Sequence, residues 1–194
     1  MRNTFVKLAA SVAAAGVLGL ATPNALGADY KVDEAHSFVE FRILHLGYSW
    51  LYGRFNTISG EFSHDPAKPE ASSIQVSIDP ASVDTNHAER DKHIRNADFL
   101  DVGQYAKASF KSTQYTGTAE AGTLEGELTM HGVTKPITIA VTKLGEGKDP
   151  WGGYRAGFVG TVKLDRRDFG IEYNLGPKSW EMEIELGIEG IRRN

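Results

Sequence analysis

No cysteine occurs anywhere in the 194 residues, which excludes a disulfide framework and a cysteine-linked lipoprotein anchor. Long hydrophobic runs are equally scarce. The one apolar run, Leu8 to Leu20, is too short to span a bilayer comfortably, and nothing later resembles a transmembrane segment. Catalytic signatures are missing: neither G-x-S-x-G nor H-E-x-x-H is present. Gly145-Glu146-Gly147-Lys148 lacks the upstream glycine of a phosphate loop and reads as part of a hairpin turn. Internal repeats, linkers and low-complexity tracts are absent. Basic charge is also in deficit, with 21 Lys and Arg against 25 Asp and Glu. An acidic body argues against nucleic acid and against adhesion to an anionic membrane surface, and solubility accounts for it.

The first residues form a unit of their own. Arg2 and Lys7 precede the apolar run, no acidic residue precedes Asp29, and Ala25-Leu26-Gly27 places small residues where a signal peptidase reads. Residues 1–27 are therefore expected to be a secretory signal peptide, and 28–194 one mature domain. Removing the leader's two basic residues takes the formal charge from −4 to −6. An export signal without cysteine suits a soluble protein of the Gram-negative periplasm.

What the chain has in quantity is alternation. Glu181-Met182-Glu183-Ile184-Glu185-Leu186-Gly187-Ile188-Glu189 gives a strand one wet and one apolar face. Val39, Phe41 and Ile43 oppose Glu40 and Arg42, and Ile74, Val76 and Ile78 alternate with serine and glutamine up to the stop at Pro80. Leu124, Gly126, Leu128 and Met130 share a face, as do Tyr154, Ala156, Phe158, Gly160, Val162 and Leu164. Gly47 and Gly53 punctuate the aromatic stretch Tyr48–Tyr52 before the next long strand. Strands and turns at this spacing predict an all-β sandwich or barrel. A barrel of about eight strands removes exposed edges and is just wide enough to be filled by side chains or to hold one small ligand.

The rhythm breaks between Ala81 and Tyr105. Asn86 followed by Glu89 resembles a capping signature, and Glu89/His93 and Asp91/Arg95 stand one helical turn apart, predicting a short helix from about His87 to Ala97. An excursion of this length between strands suits a lid or binding loop. Glu89 and His93 could present two metal ligands, with His36, His45, His64 or His131 as a third. No third ligand has fixed spacing, helix capping and surface charge pairs explain the same residues, and no metal is expected. Arg90-Asp91 could meet a polar head group or lock the excursion to the barrel; a rigid Arg–carboxylate pair favours the lock. Trp50, Tyr52, Phe55, Phe99 and Phe110 could line a ligand channel or pack as ordinary core.

Several segments resemble a known family. Tyr30-Lys31-Val32-Asp33, His36-Ser37-Phe38, His45-Leu46-Gly47, Gly53-Arg54-Phe55 and Ser82-Val83-Asp84-Thr85 are similar to segments of the YceI-like family of bacterial lipid-binding proteins. So are Arg90-Asp91-Lys92-His93, Asp98-Phe99, Gly132-Val133-Thr134-Lys135-Pro136 and Asp168-Phe169-Gly170, and the likeness covers essentially the whole expected mature chain. Residues 45–53, 82–93 and 149–153 resemble enterobacterial members most. Arg167 departs from the pattern, at a position usually small and polar. The resemblance implies an extended, lipocalin-like, eight-stranded antiparallel β-barrel in the periplasm. It also implies a long polyisoprenoid or similar amphiphile in the lumen, no enzymatic activity and no cofactor besides that lipid.

On that reading Phe41, Ile43, Ile74, Val76 and Ile78, with Phe110, Leu128 and Phe158, make the wall. Trp50, Tyr52, Phe55 and Phe99 add aromatic lining, and His45, Arg90 and His93 are candidates for the head group. The reading from another class is a non-enzymatic envelope stress-response or interaction protein whose barrel is packed solid. Self-association as a homodimer and a membrane-protein partner are left open by the sequence.

Overall fold

A computed structural model describes residues 27–176 and 178–193. The expected leader lies outside the described residues apart from Gly27. Eleven strands form one antiparallel sheet: β1 (Ala28–Val32), β2 (Phe38–His45), β3 (Ser49–Phe55), β4 (Ile58–His64), β5 (Ser73–Ile78), β6 (Val83–Asp84), β7 (Ala108–Gly117), β8 (Ala121–Met130), β9 (Val133–Lys148), β10 (Tyr154–Asp165) and β11 (Glu181–Arg192). Eight of them close a ring in the order β1-β4-β5-β7-β8-β9-β10-β11, sealed by β1 against β11. The expected eight-stranded barrel is thus observed, with one short helix, α1 (Ala88–Ile94).

Three of the barrel's staves are broken in two. The edge of β11 that carries β1 at Gly190–Arg192 carries β2 at Met182–Gly187. In the same way β4 follows β3, with Asn56-Thr57 between them, and β6 follows β5 after a 3-10 turn at Pro80–Ser82. Below the closed ring, β2-β3-β6 continue the wall as a flap. The predicted break at Gly53 is not one. Gly53 is buried mid-strand opposite Phe41, because a methyl there would overlap the Phe41 ring and come within 2.7 Å of Thr85 Cγ2. Gly145–Lys148 likewise is not a turn but the last stretch of β9, paired with β10, and the turn follows at Asp149–Gly153.

The outer edge of β6 pairs with no strand among the described residues. Its carbonyls are taken by guanidinium groups instead. Arg95 Nε donates to Ala81 O at 2.8 Å and Arg95 Nη2 to Val83 O at 2.7 Å, while Arg90 Nη2 donates to Thr85 O at 2.5 Å. Residues 81, 83 and 85 aim their carbonyls the same way, so α1 satisfies an edge that would otherwise invite another chain.

The helix is shorter than expected and capped differently. His87, not Asn86, is the N-cap, its Nδ1 accepting from Arg90 N at 3.3 Å, and Asn86 takes a left-handed φ of 61°. After Ile94 the Asn96 side chain accepts from Asp98 N at 2.9 Å, a local turn that competes with further helix. Neither expected i,i+4 pair forms. His93 pairs with Asp98, and Asp91 is buried with its carboxylate on Thr85, accepting from the backbone N at 2.8 Å and from Oγ1 at 2.5 Å. The excursion is locked to the barrel, but through Thr85 rather than an Arg90–carboxylate pair.

A second clamp spans the break between β1 and β2. Arg155 on β10 donates to Asp33 and Glu189 at 2.5 Å each and to Asp149 at 3.0 Å. Asp33, His36 and Glu189 present ligand atoms within 4.8 Å of one another, but Arg155 already neutralises the cluster. The Arg155 hydrogen bond holds the Asp33 carboxyl down at about 2, below its usual 3.8. With the folded value under the unfolded one, the clamp's stabilisation is complete above about pH 4 and is lost as pH falls toward 2. An NMR titration of Asp33 should follow this, and Arg155→Met should bring its midpoint back toward 3.8; an unmoved midpoint would refute the clamp.

Candidate functional site

The inward faces do not meet. They enclose a hollow in two parts, and the upper part, within the closed ring, is a narrow cavity of about 140 Å³. Ile74 and Val76 from β5, Phe110 from β7 and Phe158 from β10 line it, joined by Phe62, Ile139, Val162 and Ile188. Glycines help keep it open. The Phe110 ring lies where a side chain at Gly126 would stand, so it rests along the wall rather than across the lumen. At the far end are Ser72, Glu120, Lys143 and His64, with the Lys143 ammonium 2.9 Å from Glu120. His64 is buried, its Nε2 has no hydrogen-bond partner and stands 3.6 Å from Glu146, and burial pushes its pKa down toward the neutral ring.

The lower part, behind the flap, measures about 1020 Å³. Phe41, Ile43 and Phe55 wall one side, the Phe41 and Phe55 rings 5.6 Å apart, and Phe99 closes the floor beneath α1. Val39, Ile78, Leu128 and Ile184 border both parts and form the neck between them. A solid core, which the interaction-protein reading requires, is not what the barrel contains.

A second set of polar groups lies around the lower chamber's rim and floor. His45 at the end of β2 and Arg90 and His93 on α1 all line it. Arg90 is partly committed, its Nε donating to Thr85 Oγ1 at 2.7 Å. His93 sits 3.1 Å from Asp98 and meets Phe99 and Tyr173 edge-on at 5.0 and 5.3 Å. Every apolar residue singled out from the sequence borders one chamber or the other. Trp50 and Tyr52 need correction, however: they share the outward register of β3 with Arg54, opposite Leu44 and Arg42, and the Arg42 guanidinium lies over the Trp50 ring at 4.5 Å. They edge the lower chamber without forming its inner wall, and Leu51, which the aromatic pattern obscured, stands in the inward register.

Arg166 is the other residue the sequence reading missed. It is 3 % exposed, faces the lower chamber, and has no carboxylate partner among the described residues. Its Nε donates to Ser179 O at 2.9 Å, Nη1 to Ile171 O at 2.7 Å and Nη2 to Tyr173 O, while its guanidinium stacks 4.5 Å from the Trp180 ring. Burial pushes its pKa down, yet an arginine stays charged in a protein. The signal was available, since two residues beyond Leu164 on the inward face of β10 is position 166. Arg167, the departure noted above, turns outward and pairs with Asp165.

Known proteins share this architecture. A UPF0312 protein of Pseudomonas paraeruginosa is 54% identical over 172 residues, covering 88% of this chain and 90% of that protein. The crystal structure of a Campylobacter jejuni YCEI protein superposes with a TM-score of 0.70 at 28% identity, over 77% of this chain and 90% of the other. A polyisoprenoid binding domain from Saccharophagus degradans, implicated in plant cell wall breakdown, has the same fold with a TM-score of 0.62 at 19% identity, over 84% and 98% of the two chains. With residues 30–190 matching the YceI-like domain across nearly all of the barrel, the chain belongs to the YceI-like family.

Proposed function

We propose that this chain is a periplasmic carrier holding a long-chain isoprenoid lipid, polyprenyl or quinone-like, with its tail in the upper cavity and its polar head in the lower chamber. One observation carries the reading: a narrow apolar cavity adjoins, across the shared residues Val39, Ile78, Leu128 and Ile184, a wider chamber lined by Arg90, His93, His45 and Arg166. That is the shape and polarity of an amphiphile. Withdrawing the tail from water supplies about 0.8 kcal/mol per buried CH₂, against the cost of ordering a flexible chain. Selection among tails is by length and girth, because an apolar tube has little else to read. The description of the Saccharophagus degradans domain as polyisoprenoid binding agrees with this ligand class. Export rests on the leader in residues 1–27, cleaved after Gly27. The protein binds its ligand and does not transform it.

Mass spectrometry of an organic extract of the purified protein tests the reading. One long-chain lipid per chain is the expected result. A clean extract, with no uptake of added prenyl alcohols or quinones, would overturn it in favour of a partner-binding outer surface.

A further inference from the structure

The net negative charge of the chain hides a local exception. From Phe41 to Gly60 there is no acidic residue, while Arg42, His45 and Arg54 are present. This segment spans the β2–β3 hairpin, and its tip is the most apolar exposed part of the lower end. Tyr48 is 88% exposed, and Leu46, Trp50 and Tyr52 are exposed beside it. The turn is closed by Tyr48 N donating to His45 O at 2.9 Å, and Leu46 is held in it at φ 52°, a left-handed conformation that asparagine or glycine adopts with less strain. A branched apolar residue is therefore displayed where a polar one would fit better. The 171–176 loop lies against Leu46 and adds the exposed Tyr173 to the patch, with one acid, the exposed Glu172, at its border. Arg42 is bridged to Glu183, but it also stacks on Trp50, which keeps a cation at the aromatic surface.

Tyrosine, tryptophan, leucine and arginine on the acid-free outer part of the hairpin, Phe41 to Phe55, match the boundary between acyl chains and phosphates in a bilayer. We propose that the β2–β3 hairpin docks this protein on a phospholipid bilayer surface, placing the rim of the lower chamber against the membrane. The opposite end of the barrel is unsuited to the task. Its exposed Trp151 and Leu144 stand among Glu120, Glu146 and Asp149, and Arg155 lies 5.3 Å over the Trp151 ring. Docking extends the carrier reading but is measured separately from it, since vesicle binding and lipid extraction report different surfaces.

Two single-tryptophan forms of the full chain as exported by its host, Trp151→Phe/Trp180→Phe and Trp50→Phe/Trp180→Phe, are mixed with phosphatidylcholine vesicles containing phosphatidylglycerol and brominated lipid. Trp50 emission should shift to the blue and be quenched, and Trp151 emission should not. Leu46→Asp/Tyr48→Asp should weaken vesicle binding about tenfold or more while the amount of lipid recovered by extraction is unchanged. Quenching of Trp151 instead, vesicle binding untouched by the double substitution, or no binding by the unaltered chain would each overturn the proposal. So would a concentration-dependent dimer abolished by the same substitutions without vesicle binding, which would assign the patch to a second copy.

Discussion

Leu128→Trp is expected to empty the barrel while leaving it folded. Leu128 is buried on β8 opposite Phe110 and belongs to the neck bordered also by Val39, Ile78 and Ile184. An indole there has open space on either side along the axis, so it can occupy the passage rather than force the strands apart. The cost of the added bulk should stay within the roughly 1–3 kcal/mol typical of overpacking. Lipid recovered by extraction should fall at least about tenfold, since a tail would have to displace the ring from both chambers. Leu144→Trp, on an exposed outward position of β9, controls for the substitution itself. Undiminished lipid in a folded Leu128→Trp protein would place the ligand elsewhere than in the lumen.

The largest loss of stability is expected from Arg166→Met. The methionine fills most of the volume but leaves the carbonyls of Ser179, Ile171 and Tyr173 buried without their donors, and these bonds fix the strap from Arg166 to Trp180 across the lower chamber. Hydrogen bonds from a charged donor contribute about 1.5–3 kcal/mol each, and their sum is not additive, so about 3 kcal/mol is a conservative total. For a chain of this size that corresponds to a fall in Tm of about 6–12 °C by calorimetry. Arg166→Lys should recover little, because an ammonium cannot reach three carbonyls in the directions a planar guanidinium does. Arg167→Met, which removes an exposed pair with Asp165 and a contact over the Trp180 ring at 4.9 Å, should lower Tm far less. A Tm in Arg166→Met equal to that of Arg167→Met would show that the strap is held by other contacts.

Period-two alternation made the wall legible residue by residue. Phe41 and Ile43, the trio Ile74, Val76 and Ile78, and Leu128 and Phe158 all lie where the pattern places them, because a pleated strand leaves no choice of face. Aromatic bulk misled where it was put ahead of that rule. Trp50 and Tyr52 look like lining by composition, yet their register assigns them to the outside, paired with Arg42 and Leu44. Glycines were ambiguous for a different reason. Gly53 and Gly145 read as turn residues, but both lie within strands; at Gly53 the missing side chain makes room for the ring of Phe41, whereas at Gly145 a Cβ would meet nothing. Least legible were the arginines of α1 and Arg166, whose partners are backbone carbonyls. Any residue supplies a carbonyl, so no sequence pattern marks where Arg90, Arg95 and Arg166 will find theirs.

The two halves of the barrel are fastened by different means. Around the upper half a continuous ladder of backbone hydrogen bonds goes full circle, and widening it would break that ladder. The lower half has a slit along β6, stitched by the side chains of Arg90 and Arg95 and by the Asp91–Thr85 bond. Those stitches can part and re-form while every strand keeps its neighbours. The lower wall can therefore yield sideways at the cost of a few guanidinium contacts, whereas the closed ring above it admits a chain only end-first.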